Sequence, residues 1–300
     1  MGKALFETFA AARTVFEEVD AALGQNLSAL MFEGPEDQLT LTANAQPALM
    51  AVSLAVIRVL ETERGLELAR DVAFVAGHSL GEYSALCAAG AVSIGEAAKL
   101  LRIRGDSMQA AVPPGEGAMA ALLGAEWELA VEIAEQAAVD TGLICDVAND
   151  NGGGQVVLSG DKAAIERACM IAKEKGVKRA ILLPVSAPFH SALMAPAARA
   201  MEEALKTATI LAPRVPVIAN VTAVPETDPA AIRRNLVTQV TGSVRWRESM
   251  LWMGGQGVTR FVECGSGKVL TGIAKRLVEG CLASNIATPE DARSFETSTL

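Results

Sequence analysis

Aromatic side chains are scarce in this 300-residue chain: Phe, Trp and Tyr together make up 4% of it, and Tyr83 is the only tyrosine. A core of this size must be built mostly from Ala, Val, Leu and Ile, and 51% hydrophobic residues supply it. Positive charge is in deficit, with 26 Lys and Arg against 35 Asp and Glu, and the resulting net charge of -9 argues against nucleic acid as the main partner. The five cysteines (Cys87, Cys145, Cys169, Cys264, Cys281) are odd in number and never form a C-x-x-C pair. That pattern suits reduced thiols in the cytoplasm better than a disulfide framework or a zinc site. A membrane-spanning run is also lacking: the most apolar segment, PALMAVSLAVIRVL at 47–60, is too short and carries Arg58, while Glu7 interrupts the first apolar run where a secretory signal needs continuity. The reading is a soluble, cytoplasmic protein with no membrane, no nucleic acid and no metal. Histidine is rarest in the context of chemistry, with only His78 and His190.

Helical periodicity marks the first thirty residues, through Leu5, Phe6, Phe9, Val15, Phe16 and Val19, and again residues 47–61. Val72 to Ala76 is short and continuously apolar, as a parallel strand buried on both faces requires. A helix follows from Ser79 to Cys87, and Ser93-Ile-Gly-Glu96 reads as a capping box for a third helix, which ends near Ala111. The next seventy residues change character. Strand 117–124, helix 126–138, a hairpin around Gly152-Gly153-Gly154, a helix from Asp161 to Lys175 and strand 177–185 give the order β-α-β-β-α-β, that of a ferredoxin-like unit. It reads as a small domain, 116–182, inserted into a large α/β domain made of 1–115 and 183–300. The large domain resumes with a helix over 191–207, strand 215–221, a helix capped by Asp228 and Pro229, strand 258–265 and a C-terminal helix. The final dozen residues read as a frayed tail.

The chemistry centres on Gly77-His78-Ser79-Leu80-Gly81. A serine between a buried strand and a helix is a nucleophile elbow, a strained turn that needs small flanking residues, here Gly77 and Gly81. Such a serine needs a base. His78 precedes it in the turn and points away, which leaves His190, in a loop just before a helix whose N-terminus disfavours imidazolium. No Asp or Glu is an obvious orienting partner for the base. An orphan main-chain carbonyl at the end of the helix from Pro229 is an alternative; Gln239 lies in its last turn, as do its neighbours. Arg104 lies on an apolar helix face with Ala97, Leu100, Leu101 and Met108, and no carboxylate sits at helical spacing. Either a carboxylate from elsewhere in the fold meets it, or it grips a substrate carboxylate, which Arg geometry favours over Lys. Arg102, by contrast, has Asp106 four residues on and reads as a surface pair.

Blocks along nearly the whole chain, GHSLGEYSAL, IRGDSMQ, GAMAA, GQVVLSG, LPVSAPFHSALM, QVTGSVRW and ECGSGKVLTG, closely resemble the malonyl-CoA:acyl-carrier-protein transacylases of bacterial fatty-acid synthesis. The resemblance implies a hydrolase-like parallel-sheet core with the inserted ferredoxin-like (βαββαβ) subdomain. It implies that Ser79 carries the malonyl group, that His190 is the base with its other nitrogen on the Gln239 carbonyl, and that Arg104 pairs with the malonyl carboxylate. Gln46 is placed near the site, the Leu80 N–H is an oxyanion donor, and Phe189 accompanies malonyl selectivity. The implied partners are malonyl-CoA as substrate and acyl carrier protein, with no cofactor and a monomeric enzyme. A strand and a Gly-Gln-Gly-Ser-Gln loop precede the first helix in the family. This sequence opens at MGKALFETF, which matches the segment on the far side of that loop, so half of the family's oxyanion hole is expected to be missing. Two other readings stand beside transacylation: a serine esterase or thioesterase of the α/β-hydrolase type, and a catalytically weak binder of acyl carrier protein. Two basic clusters, Lys173, Lys175, Lys178 and Arg179, and Lys268, Lys275 and Arg276, are candidate surfaces for an acidic carrier.

Overall fold

The periodic first thirty residues form three helices, Lys3–Thr8, Ala10–Leu23 and Leu27–Glu33, because Phe9 is extended and ends the first while capping the second. They appear in a computed structural model that describes residues 1–297 of a mixed α/β protein, rich in helix and holding three small sheets. The apolar helix Thr42–Arg64 runs through the main core, where Met50, Leu54, Val56, Val59 and Leu60 are buried. Among the described residues it is the one helix long and apolar enough to cross a membrane, and 67% of its most apolar window is buried inside the protein.

The strand expected over 72–76 shrinks to β1, Val75–Ala76, because Val72 instead caps the short helix Leu68–Asp71. β1 is half-buried rather than enclosed on both faces. The elbow follows, then helices Gly81–Ala88 and Ile94–Ala110. Ser93 caps the latter by accepting the Glu96 N–H; the reciprocal half of the expected capping box is not formed. Gly105 lets this helix press against Thr42–Arg64, since a Cβ there would lie 2.5 Å from the Ala43 Cα. That close approach brings Arg104 to Gln46. The expected Arg102–Asp106 pair does not form: Arg102 reaches across to Asn44 Oδ1 at 2.8 Å and Gln25 Oε1 at 2.6 Å, neutral acceptors that its helix packing puts within reach.

The small sheet contains β2 (Gly117–Leu123), β3 (Cys145–Gly152), β4 (Gln155–Asp161) and β5 (Arg179–Leu182), all antiparallel, in the order β3-β4-β2-β5. Helices Trp127–Thr141 and Lys162–Glu174 cover it and share a separate core of Leu122, Ile133, Val156, Leu158, Ile165 and Ile171. It is tied to the rest of the protein by the Asp150 N–H to Val244 carbonyl bond of 3.0 Å and by the buried Asp150 carboxylate, which Arg247 Nε meets at 2.7 Å.

After helix Ala195–Thr207 come β6 (Val217–Ile218), β7 (Pro225–Glu226) and helix Pro229–Gln239, which Asp228 caps as expected. Helix Trp246–Gly255, which the periodicity did not announce, leads into β8 (Arg260–Cys264), helix Val269–Leu277 and β9 (Leu282–Ile286). The parallel strands form two separate pairs, β1–β6 and β8–β9. A cavity of about 650 Å³ is lined by residues of both β1 and β8. Of the final dozen residues expected to fray, the last three lie outside the described residues, and 289–297 are docked instead: a full capping box at Thr288 starts helix Pro289–Ser294, Phe295 is buried, and Arg64 Nε donates to the Phe295 carbonyl.

Candidate active site

Ser79 lies between β1 and helix Gly81–Ala88 with a φ of 52°, left-handed backbone that a non-glycine residue adopts only when its surroundings enforce it. Two features enforce it here. A Cβ on Gly77 would sit 2.0 Å from the Gly81 carbonyl group, so only glycine lets the chain double back. The buried Asn220 side chain then staples the turn: its Oδ1 accepts the Ser79 N–H at 2.7 Å and its Nδ2 donates to the Gly77 carbonyl at 2.8 Å. The expectation that both elbow glycines are needed for space is corrected in one respect, because a Cβ on Gly81 would meet nothing within 4 Å. Gly77→Ala is expected to cost about 3 kcal/mol through overpacking, whereas Gly81→Ala stays within about 1 kcal/mol of wild type or gains from helix propensity; paired denaturant melts check both.

His190 also has left-handed backbone, with φ 57°, and is buried. Its Nε2 is 2.8 Å from Ser79 Oγ. Its Nδ1 is 2.8 Å from the Gln239 carbonyl and 3.1 Å from that of Gly242. Two carbonyl acceptors on one side require the proton on Nδ1, which leaves the Nε2 lone pair facing the serine hydroxyl. Gln239 is the last residue of its helix, so its carbonyl lacks an intrahelical donor and is free to take this one. Burial, then the nearby Arg104 charge, pushes the imidazole down to about 3. His78 turns away, its Nε2 2.9 Å from Asn151 Oδ1 and its ring against Trp246.

Arg104 is fully buried, yet no carboxylate pairs with it among the described residues. Its Nη1 donates to Gln46 Oε1 at 2.7 Å, and its Nη2 donates to Ser79 Oγ and to Gln239 Oε1, both at 2.9 Å. Its Nε has no partner, and the guanidinium stands 5.9 Å from the Tyr83 ring centre. A buried cation met only by neutral oxygens beside a hydroxyl has the chemistry to take an anion. Gln46 is held in turn by donating Nε2 to Thr42 Oγ1 at 2.8 Å. Leu80 caps helix Gly81–Ala88, and its N–H meets no acceptor among the described residues. Phe189 is partly buried and packs against both the main core and the apolar patch of Met119, Ala121 and Val157 on the small sheet.

Three members of the site escaped sequence reasoning: Asn220, Glu82 and the side chain, as opposed to the carbonyl, of Gln239. Glu82 Oε2 accepts from the Asn220 N–H at 3.0 Å and from Gln239 Nε2 at 2.8 Å. Burial raises its carboxyl to about 7, against the opposing pull of those donors and of Arg104. The available signal for Asn220 was a lone polar residue closing the apolar run VPVIA at the carboxyl end of a parallel strand. Of the basic clusters, Lys175 is drawn to Glu132 at 2.6 Å, whereas Lys268, Lys275 and Arg276 form no ion pair among the described residues.

The arrangement holds a serine hydroxyl on a neutral imidazole, an N–H at a helix start without an acceptor among the described residues, and a buried guanidinium without a carboxylate partner among them. It is suited to acyl transfer from a substrate with an acidic acyl group. Residues 1–287 match the model of the acyl transferase domain family. The chain is 45% identical over 290 residues to the malonyl CoA-acyl carrier protein transacylase of Bacillus subtilis strain 168, covering 97% of this chain and 90% of that one. The crystal structure of the acyl-carrier-protein S-malonyltransferase from Bartonella henselae superposes with a TM-score of 0.95 at 59% identity, over 98% of this chain and 93% of that one. A malonyl-transacylase solved in complex with its type II polyketide acyl-carrier protein matches with a TM-score of 0.93 at 39% identity, over 98% of this chain and 93% of that one. On the elbow, the buried guanidinium and this sustained similarity, the chain belongs to the malonyl-CoA–acyl carrier protein transacylase family of acyl transferases.

Proposed function

We infer that the protein moves a malonyl group from malonyl-CoA to the phosphopantetheine thiol of acyl carrier protein, through a malonyl ester on Ser79, in type II fatty-acid synthesis. The observation that carries this reading is Arg104: a fully buried guanidinium hydrogen-bonded to the nucleophile's oxygen and lacking any carboxylate partner among the described residues. A neutral acyl group gives such a cation nothing to bind; a malonyl carboxylate does.

In the first half-reaction His190 Nε2 takes the Ser79 proton as Oγ attacks the thioester carbonyl. The Leu80 N–H meets the oxyanion, with the helix N-terminus behind it. The carbon–sulfur bond breaks and His190 returns the proton to the departing thiolate. In the second half, the carrier's thiol gives its proton to His190 and attacks the ester carbonyl, and Ser79 leaves as the hydroxyl. Arg104 and Gln46 keep the carboxylate in place throughout, while Phe189 walls the acyl pocket. An esterase reading is disfavoured because the base is oriented by two carbonyls, and a buried cation has no task toward a neutral ester.

The same reading covers the architecture and setting. The core, 1–115 with 183–300, is assigned as hydrolase-like, and 116–182, with its β3-β4-β2-β5 order, as a ferredoxin-like insertion. The enzyme is taken to work as a cytoplasmic monomer, in keeping with its five free cysteines. Incubation with malonyl-CoA and a holo-carrier protein, followed by the mass of the carrier, tests the function: malonylated carrier is expected, and an unchanged carrier refutes it.

The depressed imidazole sets the pH dependence. A histidine titrating near its ordinary value of about 6.5 imposes an acid limb there on kcat/KM. His190, lowered to about 3, stays neutral and competent far below that. Loading by the free enzyme is therefore expected to show no acid limb from His190 near 6.5 in kcat/KM; the one neighbouring carboxyl that titrates close to that pH is Glu82, raised to about 7, and Glu82→Gln removes it. The limb in kcat moves upward, because a bound carboxylate offsets the Arg104 charge that helps hold the imidazole down. A kcat/KM limb centred near about 6.5 that persists in Glu82→Gln contradicts this.

A further inference from the structure

We propose that Glu82, which touches neither substrate nor reacting atom, is the positioning residue that sets acyl specificity, by fixing which end of the Gln239 amide faces Arg104. The proposal rests on the malonyl-transfer reading above.

Gln239 occupies the centre of the site twice over. Its main-chain carbonyl orients His190, and its side chain touches the arginine, the elbow and Glu82. The amide's two ends face opposite chemistry. Around Nε2 stand three acceptors: Glu82 Oε2 at 2.8 Å, the Ser79 carbonyl at 3.1 Å and Asn220 Oδ1 at 3.3 Å. Facing Oε1 is a donor, Arg104 Nη2, at 2.9 Å. Reversing the amide would aim oxygen at three acceptors and an N–H at a guanidinium, so the network permits one orientation only.

Glu82 is the acceptor that decides it: its bond to Nε2 is the shortest of the three, and a carboxylate oxygen accepts more strongly than the amide and peptide oxygens beside it. Glu82 is itself anchored, since the same Oε2 accepts the Asn220 N–H at 3.0 Å and its backbone lies in the first turn of the helix after the elbow. When ionised, Glu82 lies across the amide from Arg104 and offsets the cation without a direct ion pair that would consume its donors. A direct Arg104–carboxylate pair would compete with the malonyl carboxylate; the interposed amide leaves the guanidinium available. Removing the acceptor frees Gln239 to turn its N–H groups toward Arg104, which pushes the guanidinium off its place beside Ser79 Oγ. The loss then falls on substrates that need the cation.

The test compares kcat/KM for malonyl-CoA and acetyl-CoA in the full chain. Glu82→Leu, which has no acceptor, is expected to lower the malonyl-over-acetyl ratio about tenfold or more, an effect of about 1.4 kcal/mol. Glu82→Gln keeps one carbonyl oxygen for the same bonds and is expected to restore the ratio to within about threefold of wild type. If Glu82→Leu does not fold, Gln239→Met, which retains the main-chain carbonyl for His190, is expected to show the same fall in the ratio. Both rates falling in step, with the ratio unchanged, overturns the proposal and leaves Glu82 a structural residue. So does a ratio that Glu82→Gln fails to rescue. Wild-type protein run alongside separates the two levels: no malonyl transfer by wild type refutes the function, whereas transfer with a ratio indifferent to Glu82 and Gln239 refutes the positioning role alone.

Discussion

His190→Ala loads malonyl onto the protein about 10³-fold or more slowly than wild type, at the upper end of what a positioned general base contributes. The size reflects the absence of any substitute. His78, the only other histidine, is engaged with Asn151 and Trp246, and no carboxylate hydrogen-bonds to Ser79 Oγ among the described residues. The variant retains Arg104 Nη2 on the same oxygen, which stabilises a serine alkoxide without accepting its proton. Affinity for malonyl-CoA is expected to change little, since the arginine and Gln46 are untouched; single-turnover loading separated from equilibrium binding checks this. The substitution also strips the Gln239 and Gly242 carbonyls of their donor, at a cost of about 1–3 kcal/mol in stability. The melting temperature therefore falls alongside the rate. A variant that loads within tenfold of wild type would remove His190 from its assigned role.

Arg104→Met has the second-largest expected effect and a different signature. Methionine follows the length of the arginine stem and suits the apolar helix face of Leu100, Leu101 and Met108. It offers no donor to a carboxylate. Leaving a substrate charge buried and unmatched costs about 3–4 kcal/mol, so kcat/KM for malonyl-CoA is expected to drop about 10²–10³-fold. The preference between malonyl-CoA and acetyl-CoA inverts, because an acetyl group brings no charge into the vacated space. Arg104→Lys recovers only part of the loss, since a point charge cannot reproduce a guanidinium that reaches Gln46, Ser79 and Gln239 at once. Equal losses toward malonyl and acetyl substrates would show that Arg104 serves the elbow rather than the acyl group.

The residues that the sequence made visible are those whose local setting was anomalous. Ser79 stood between glycines at a strand–helix junction, His190 was one of two histidines, and Arg104 was a charge on an apolar helix face. The small sheet was legible for a similar reason: alternating apolar runs around three consecutive glycines announce a hairpin. Asn220 and Glu82 carried no such mark. Their partners lie 141, 143, 138 and 157 residues away along the chain, and a contact of that range leaves no local period or spacing to read. The core strands look longer in the sequence than they are, because apolar runs such as 72–76 and 215–221 hold only two paired residues each. Helix Trp246–Gly255 was missed where glycines close an aromatic stretch. The C-terminal segment looked loose because it is polar, although a capping box and one buried aromatic, Phe295, are enough to dock it.

The central claim is that Ser79 becomes malonylated before any carrier protein is present. Intact-mass measurement of the protein after incubation with malonyl-CoA alone tests it most directly. The account predicts a mass gain of one malonyl group on the wild type, located on the peptide that carries Ser79 and absent from Ser79→Ala. An unmodified wild type, or a Ser79→Ala protein that still gains the group, would contradict it.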